Sequence, residues 1–423
     1  MDKAPAMATV VVSALSVAGC YAAPSDESGV AEQPAFTTWD SAGIEIVVNH
    51  APEHAAGEFW TFGTVPEIVL GGAEDLGALA NDPSQLIWEV VGLVRLEDGR
   101  VAVLSSMGKQ LLLFEPSGAL SRTIGRGGEG PGEFTRPEWL QYLPPDTLVV
   151  WDYFLRSVAY FDTAGTLLRQ RRVDQALLRE AGASGEAFVR PLPDGTFVVS
   201  VRGGPDNERV ESMGWNPRTS SLQTFGGRVG NYARIDDSYR PQVLGPRSGI
   251  ATGGDPPSIY LSGRGRNEIR QLSLDGAVLR IIRRTTDPIP VTDRAYQNIL
   301  ERAYLSAEAM GSPVPREIIE QMIEREETHP PMAGIIVDPE GYLWVREGSR
   351  SESGTPDQWS VFNPEGRWIG VLPFPWNTDP AEENSCGGNT RVRCWVDRDF
   401  LLAVRQDEFG VERVEGYRIR RGG

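Results

Sequence analysis

The sequence predicts an all-β fold, a six-bladed β-propeller of four-stranded antiparallel blades. Three observations predict it. Short apolar segments separated by turn residues recur along the chain, glycine and proline are plentiful at 47 and 31 residues, and patterns of long helices are scarce. In two consecutive units the equivalent residues Phe114 and Phe161 stand 47 positions apart, which is a period typical of propeller blades.

The first residues have the pattern of an export signal. Lys3 supplies one basic residue, the segment Ala8 to Val17 is apolar, and small residues precede Cys20 in Val17-Ala-Gly-Cys20. This last tetrapeptide resembles the lipobox of bacterial lipoproteins, which implies cleavage before Cys20 and a lipid on that cysteine. An ordinary signal peptide that is cut nearby is the alternative. Both interpretations place the mature protein outside the cytoplasm, either in the periplasm or on the outer membrane.

Three regions follow from this pattern. Residues 1–19 are the predicted signal peptide, and residues 20–37 are a flexible tether, because they are rich in Ala, Ser, Pro, Asp and Glu and contain few large apolar residues. Residues 38–423 are the predicted propeller. No second linker interrupts this long region, and closed all-β folds often reach such a size.

The clearest repeat unit runs from Val91 to Phe134. Its four strand segments are separated by polar turns, and a glycine-rich loop, Gly125 to Phe134, follows the last of them. The four segments are Val91–Val94, Val101–Leu104, Leu111–Phe114 and Leu120–Ile124. Similar units begin near Trp139, Phe188, Ser258 and Gly334.

The last unit has only three strand segments, and one unpaired segment lies near the start of the fold. The three segments lie near Arg393–Val396, Phe400–Val404 and Val411–Ile419, and the unpaired one is Glu67–Leu70. Pairing of the two would close the ring and remove both exposed sheet edges. We therefore expect five complete blades and a sixth that both ends of the chain share.

One segment departs from the repeat. Between units four and five, residues 292–327 lack alternation and carry apolar residues at helical spacing. Ser312 and Pro313 suit the start of the second of two helices. The helices either cover an exposed patch of the fold or form a lid over the central funnel.

The turns carry a family resemblance. Asp-Gly or Glu-Gly turns, a Phe-Asp-x-x-Gly turn at Phe161, and the closing loop Gly125-Arg-Gly-Gly-Glu-Gly-Pro-Gly-Glu-Phe134 resemble the NHL-repeat group of six-bladed β-propellers. Lipoproteins of environmental bacteria in that group are the most similar. The resemblance implies the fold and export, and implies no particular ligand.

The net charge and the cysteine content indicate which partners and which compartment suit the protein. A net charge of −17 argues against a nucleic-acid partner, because such surfaces concentrate Lys and Arg. With Cys20 assigned to the lipid, Cys386 and Cys394 remain. A disulfide between them suits an oxidising compartment.

Catalytic signatures are missing from the sequence. The three histidines lack metal-binding spacing, and no Gly-x-Ser-x-Gly motif occurs. The glycine loop lacks the Lys-Ser/Thr ending of phosphate loops and follows a strand without opening a helix, which favours a structural connection. A ligand face is the other interpretation, with candidate residues Arg126, Glu129, Glu133, Trp88 and Trp139.

The sequence therefore predicts a lipid-anchored, exported binding or interaction module. Its partners would be the membrane, through the lipid, and an unidentified small molecule, peptide or protein. No cofactor is identified. The alternative function is a calcium-dependent propeller hydrolase or lyase of the lactonase type, whose Ca²⁺ would be held in the funnel by acidic and amide side chains from separate blades.

Overall fold

The structure is a computed structural model with two compact units, Met1–Pro34 and Ala35–Gly423. It describes residues of the second unit together with Pro34. The described residues are 34–55, 58–71, 87–173, 176, 188–192, 196–203, 209–216, 221–229, 232–235, 238–241, 249–263, 267–309, 315–323, 325, 327–348, 358–375, 393–406 and 411–422.

Strands dominate these residues. Four N-terminal strands come first: β1 (Phe36–Ser41), β2 (Ile44–Asn49), β3 (Trp60–Phe62) and β4 (Ile68–Gly71). Sheet 1 follows, with β5 (Val90–Arg95), β6 (Val101–Ser105), β7 (Gln110–Phe114) and β8 (Leu120–Ile124). Sheet 2 consists of β9 (Pro137–Leu143), β10 (Thr147–Asp152), β11 (Ser157–Asp162) and β12 (Leu167–Arg172). Sheet 3 consists of β13 (Phe188–Pro191), β14 (Phe197–Gly203), β15 (Arg209–Asn216) and β16 (Ser221–Val229).

The second half of the chain continues the pattern. After a hairpin of β17 (Tyr232–Ile235) and β18 (Ser238–Pro241), sheet 4 contains β19 (Ile250–Gly253), β20 (Ser258–Ser262), β21 (Glu268–Leu272) and β22 (Val278–Arg284). Helices α1 (Asp293–Ala309) and α2 (Arg316–Met322) precede sheet 5, which contains β23 (Met332–Val337), β24 (Leu343–Glu347), β25 (Gln358–Phe362) and β26 (Trp368–Pro373). Sheet 6 contains β27 (Cys394–Val396), β28 (Phe400–Gln406) and β29 (Glu412–Arg421).

Each sheet is antiparallel through its four repeat strands, and neighbouring sheets pack face to face. In sheet 1 every residue of β6 is buried, whereas the outer strand β8 is mostly exposed. A strand covered on both faces needs apolar residues at successive positions, which explains the runs Val101-Ala-Val-Leu104 and Leu111-Leu-Leu-Phe114.

Shared apolar clusters join successive sheets. They link sheet 6 with sheet 1, sheet 1 with sheet 2, sheet 3 with sheet 4, sheet 4 with sheet 5, and sheet 5 with sheet 6. Strands β10 and β13 bring sheets 2 and 3 into contact. The series of contacts therefore returns from the last sheet to the first, as in a β-propeller.

Each sheet has two ends, which carry different turns. The turn end carries the turns between first and second and between third and fourth strands. There Arg95 of sheet 1 pairs with Asp397 of sheet 6 at 3.1 Å, and Arg100 of sheet 1 donates to Thr163 O of sheet 2. The loop end carries the other turns and the connections between sheets.

The N-terminal strands join two different sheets. Strand β4 pairs with β29 in antiparallel register, with Ile68 opposite Gly416, so the segment predicted to complete the sixth sheet lies there. Strand β2 lies parallel to β22, and this pairing was not predicted. Strand β1 pairs with β2 and begins at Phe36, two residues within the range assigned to the tether.

The helix pair follows sheet 4. Thr292 caps α1, because its hydroxyl accepts the N–H of Ala295 at 3.1 Å. Leu300 of α1 packs with Ile319 and Ile323 from α2 and the residue that follows it. Helix α2 begins at Arg316, and the start predicted at Ser312 and Pro313 lies outside the described residues. Within the described part of the chain, no helix is both long and apolar enough to cross a bilayer.

Three strand assignments differ from the sequence prediction. Sheet 4 begins with β19, one strand before the predicted start at Ser258. Strand β15 follows the segment Gly203-Gly-Pro-Asp206, which obscures the later strands of the third unit in the sequence, and the hairpin of β17 and β18 has no counterpart in the repeat pattern. The glycine-rich and polar segments around these strands hide the alternation on which the prediction depends.

Candidate binding surface

The hydroxyl group of Ser105 fixes two loops of sheet 1 to each other. Its Oγ accepts the N–H of Trp88 at 3.2 Å and donates to the carbonyl oxygen of Trp88 at 2.6 Å. The same Oγ accepts the N–H of Gly108 at 3.1 Å. Trp88 therefore lies beside the turn that carries Met107, and the side chains of both residues are exposed at the loop end.

The glycine loop is closed by its own hydrogen bonds. Phe134 donates its N–H to Arg126 O at 2.8 Å, and its carbonyl oxygen accepts the N–H of Gly128 at 3.0 Å. The Glu133 carboxylate accepts the N–H of Gly130 and Nε of Arg126, both at 2.8 Å. These two donors, Gly130 first, hold the pKa of Glu133 below its ordinary value. These hydrogen bonds fix the backbone of the loop.

Glycine is required at the start of this loop. Gly125 has a φ of +78°, and a Cβ there would lie 2.3 Å from Cε2 of Phe134. The Phe134 ring is buried between sheets 1 and 2, edge-on to Phe161. At Gly127 an added Cβ would lie 3.1 Å from Cδ of Lys109, so the Lys109 side chain lies against the loop.

A buried carboxylate connects the loop to sheet 2. Asp152 is 2% exposed, and its Oδ2 accepts the N–H groups of Thr135 and Arg136 at 2.7 and 2.9 Å. Its Oδ1 accepts the N–H of Leu155 at 2.8 Å, in the turn between the second and third strands. One carboxylate thus braces the turn of sheet 2 and holds the end of the connection from sheet 1.

Arg136 lies over two neighbouring aromatic rings at the loop end, whose centroids are 5.6 Å apart. Its guanidinium carbon is 5.3 Å from the ring centroids of both Tyr153 and Phe154. Its Nε forms an ion pair with Glu138 at 3.1 Å, and 45% of its side chain stays exposed. The rings orient the guanidinium while leaving part of it accessible to a ligand.

These residues form one surface, which we call the loop face. It consists of Trp88, Met107, Lys109, Arg136, Tyr153 and Phe154, together with the exposed edge of the glycine loop. Trp88, Met107 and Phe154 are 56, 65 and 60% exposed. All three project from turns or connections whose backbones are held by hydrogen bonds to buried side chains, so the surface is preorganised.

The five predicted ligand residues divide into two groups. Trp88 belongs to the loop face, and so does the exposed edge of the glycine loop, where Arg126 pairs with Glu133 and Glu129 is exposed. Trp139 is half-buried in β9 opposite Trp151. The sequence interpretation missed Met107, Arg136, Tyr153 and Phe154. Only their position in the repeat could have identified them. Met107, Tyr153 and Phe154 lie in turns between the second and third strands of a sheet, and Arg136 lies in the connection that leads into the first strand of sheet 2.

Buried ion pairs support the loop end. Arg284 of sheet 4 forms a bidentate pair with Glu347 of sheet 5, at 2.5 and 2.9 Å. In sheet 6, Arg393 pairs with Glu412 at 2.7 Å, and Glu412 also accepts the N–H of Val90 at 2.6 Å. The second pair therefore fixes the start of sheet 1, two residues after Trp88.

The helix pair offers a second, smaller concave surface. A shallow groove between α1 and α2 contains Leu300, Tyr304 and Ile319. Arg316 lies over the Tyr304 ring at 4.5 Å and pairs with Glu301 at 2.9 Å. The two helices pack on each other through Leu300, Ile319 and Ile323, while Leu305 and Ile318 stay exposed.

Neither lipidation nor disulfide formation can be read from the described residues, because Cys20 and Cys386 lie outside them. Cys394 is buried in β27. Among the residues that the structure describes, no group of three or more His, Cys, Asp or Glu side chains is placed to hold a metal ion.

Fold and surface together define a β-propeller with a preorganised aromatic and cationic loop face. A family model described as a 6-bladed beta-propeller, DUF5128, matches residues 83–181, which span sheets 1 and 2 and the whole loop face. No curated protein matches the sequence.

Three solved structures are similar to this chain at low sequence identity. A DUF4221 family member from Bacteroides vulgatus has a TM-score of 0.51 at 10% identity, covering 86% of this chain and 99% of its own. A candidate exported protein from Bacteroides fragilis has a TM-score of 0.49 at 12% identity, covering 89 and 99%. A gluconolactonase from Xanthomonas campestris has a TM-score of 0.40 at 14% identity, covering 79 and 87%.

Proposed function

We propose that the protein is an exported, lipid-anchored β-propeller that acts as a binding module, with the loop face of sheets 1 and 2 as its binding surface. The observation that carries the proposal is the exposure of Trp88, Met107 and Phe154 on turns whose backbones are fixed. A large apolar side chain in water is a cost that binding of a partner relieves.

The composition of the surface supports a peptide or protein ligand. Trp, Tyr, Phe, Met and Arg are the residue types enriched where proteins meet, and a few of them carry most of the binding energy. The loop face has one or more of each. Because Ser105 and Asp152 already hold the loops in place, little conformational entropy is lost on binding.

A peptide array tests the proposal directly. The mature protein, in detergent, is applied to immobilised peptides as wild type and as the triple variant Trp88→Ser, Met107→Ser, Phe154→Ser. The matched control replaces three exposed apolar residues elsewhere, Trp39→Ser, Leu168→Ser and Leu279→Ser. We expect peptides that bind the wild type and the control and lose at least about tenfold in affinity for the triple variant. Equal binding by all three proteins would refute the loop face as the site.

Export and anchoring are part of the proposal. The lipobox-like sequence before Cys20 supports cleavage and lipidation there. Mass spectrometry of the N-terminal peptide should find a diacylglyceryl-modified Cys20, and an intact Met1 or an unmodified Tyr21 at the N-terminus would contradict the anchor.

The pair Cys386 and Cys394 is proposed to form a disulfide, in keeping with an oxidising compartment. Alkylation of the denatured protein without reductant should leave both cysteines unlabelled, and labelling of both would contradict the disulfide.

No observation on the described residues favours the calcium-dependent hydrolase over binding. Its sharpest test is a thermal melt with and without Ca²⁺. A calcium-dependent rise in melting temperature would revive it, since a ligand that binds only the folded state stabilises that state.

A further inference from the structure

The outer edge of one sheet in this protein already carries an added strand. Strand β2 lies parallel to β22, the fourth repeat strand of sheet 4. Glu45 of β2 stands opposite Arg280, and Nη2 of the arginine lies 2.6 Å from the Glu45 carboxylate. Backbone pairing and an ion pair across the edge therefore hold this strand in register, which is how added strands are recognised in general.

Strand β12 has the equivalent position in sheet 2. Both β12 and β22 are fourth strands, and each pairs with its third strand across one register shift. Arg280 lies opposite Gln271, the last residue before the shift in sheet 4. Arg169 lies opposite Tyr160, again the last residue before the shift, so Arg169 is equivalent to Arg280. Among the described residues, β12 pairs with β11 alone.

The backbone of β12 has the groups that an added strand needs. Val173, the residue after β12, donates its N–H to Arg156 O at 2.9 Å. Successive residues of an antiparallel strand direct their backbone groups to alternate sides, so those of Gln170 and Arg172 point away from β11. Donors and acceptors of this kind are a template for another strand.

The arginines of the two strands differ in their partners. Each arginine of β22 forms an ion pair, and the pairs are Arg280–Glu45, Arg283–Glu268 and Arg284–Glu347. The three arginines of β12 are exposed. Within the described part of the chain, no carboxylate pairs with Arg169, Arg171 or Arg172. The Arg169 guanidinium lies 4.0 Å from the centroid of the Tyr160 ring, which holds it along the sheet.

The carboxylates of sheet 2 are engaged elsewhere. From 135 to 173 there are five arginines and four acidic residues. Glu138 pairs with Arg136, and the other three acidic side chains accept backbone N–H groups, namely Asp146, Asp152 and Asp162. The adjoining glycine loop adds the exposed Glu129 and the pair of Arg126 with Glu133. The edge of β12 is therefore cationic, on a chain whose net charge is −17.

We propose that the outer edge of β12 binds an extended acidic segment of another protein, which adds to sheet 2 parallel to β12 as β2 adds to sheet 4. Carboxylates at alternate positions of the segment would lie opposite Arg169 and Arg171, which share one face of the sheet. This edge is separate from the loop face, so the inference goes beyond the proposed function and does not depend on it.

Other occupants fit the edge less well. A second copy that paired β12 with β12 would place like charges opposite each other, which destabilises a sheet. Anionic lipid headgroups can neutralise guanidinium groups, but they lack the alternating N–H and C=O groups that a strand edge pairs with. Arginines on an edge can also serve only to prevent aggregation, and in that case no acidic strand would bind.

The probe is the fluorescent peptide acetyl-Thr-Val-Glu-Val-Glu-Val-Thr-amide, and its affinity for the mature protein in detergent is measured by anisotropy. We expect Arg169→Gln with Arg171→Gln to weaken binding at least about tenfold, because two charge-assisted contacts are lost. The matched control, Arg294→Gln with Arg398→Gln, changes the net charge equally at exposed positions outside sheet 2. Equal affinity of the two double variants would overturn the proposal.

Charge reversal keeps the test independent of folding. Arg169→Glu with Arg171→Glu should bind the peptide in which lysines replace both glutamates, and prefer it to the original probe. Loss of both peptides would contradict the ion pairs. The loop-face variant Trp88→Ser, Met107→Ser, Phe154→Ser should bind the original probe like the wild type, so failure here remains distinguishable from failure of the proposed function.

Two N-methylated probes separate strand addition from charge attraction alone. A strand at an edge uses the N–H groups of alternate residues. Methylation of one alternate set should therefore weaken binding at least about tenfold, while methylation of the other set preserves it. Equal affinities of the two methylated probes would show attraction without backbone pairing and would overturn strand addition.

Hydrogen exchange identifies the occupant of the edge. The amides of Gln170 and Arg172 should exchange rapidly in the protein alone and become protected when the probe is added. Protection without the probe would show that the chain itself, or at raised protein concentration a second copy, covers the edge. Protection by anionic lipid in the micelles would assign the edge to a lipid surface. Each of these results would overturn the proposal.

Discussion

The guanidinium carbon of Arg421 lies 4.1 Å from the centroid of the Trp60 ring. Arg421 ends β29, and Trp60 begins β3, so the contact joins the two ends of the fold. Tyr342 of sheet 5 lies on the guanidinium as well, at 4.8 Å. Nη1 of Arg421 pairs with Glu340 at 3.1 Å, and Nε donates to Arg398 O at 2.6 Å. One side chain thus links both terminal segments with sheet 5.

Arg421→Ala should lower the free energy of unfolding by about 2 to 3 kcal/mol, because it removes a desolvated cation–π contact and charged hydrogen bonds together. The control is Arg398→Ala, which removes an exposed ion pair and should change stability by less than about 0.5 kcal/mol. Urea denaturation measures both. Equal effects of the two substitutions would show that Arg421 contributes no more than a surface charge.

Asp338 should make stability depend on pH in the acidic range. The side chain is fully buried, and this burial raises the pKa of its carboxyl group from 3.8 to about 6, although Trp344 and the backbone donate hydrogen bonds to it. The folded state therefore holds the proton more tightly than the unfolded state. The stabilisation is fully present below about pH 4 and is lost as the pH rises to about 6.

The check is the free energy of unfolding of wild type minus that of Asp338→Asn, measured from pH 4 to pH 7. The variant cannot titrate at this position, so the difference should fall with rising pH by a total on the order of 3 kcal/mol. A difference that stays constant, or that grows with pH, would contradict the raised pKa.

Gly125→Ala should destabilise the connection between sheets 1 and 2 by about 3 kcal/mol, the sum of left-handed backbone strain and a clash with the Phe134 ring. Gly43→Ala separates the two contributions. Gly43 has a similar φ of +82°, but nothing lies within 4 Å of its added Cβ. We expect about 1 kcal/mol there from strain alone. Thermal or urea unfolding measures the loss of stability in both variants. Equal losses would mean that the clash with the Phe134 ring relaxes without cost.

Glu347→Ala should cost about 3 to 5 kcal/mol, because it leaves the buried guanidinium of Arg284 without its charged partner. The comparison is Glu53→Ala. Glu53 pairs with Arg367 at 3.5 Å, and both side chains are partly exposed, so a loss below about 1 kcal/mol is expected. If both variants unfold at the same urea concentration, the Arg284–Glu347 pair contributes little to stability.

Much of the fold is predictable because it repeats. Phe114 and Phe161 set the period, and comparison with the clearest unit reveals that Glu67–Leu70 lacks a sheet of its own. The pairing of β2 with β22 has no such signal, because strands far apart in sequence meet through the closed arrangement of sheets. The sequence of β2, a short strand added at the outer edge of sheet 4, does not differ from that of other short strands, so it does not reveal its partner.

The loop face was only partly predictable. Trp88 is conspicuous as a tryptophan next to a strand, whereas Met107 and Phe154 are single residues in turns, where no periodicity marks them. Their proximity depends on Ser105 and Asp152, which bind segments that lie 17 residues away in sequence. Such hydrogen bonds between a side chain and a distant backbone segment bring residues together, and the sequence pattern does not predict these contacts.

The pairing of β4 with β29 also sets the order in which the molecule can be completed. A polypeptide is synthesised from its N-terminus, so β4 is made long before its partner β29. Until the last residues emerge, Ile68 and Leu70 have no sheet to bury them, and the strand edge stays open to wrong partners. The fold therefore closes only when the last strand has been made, and until then the N-terminal strands are the part of the chain most open to misassembly.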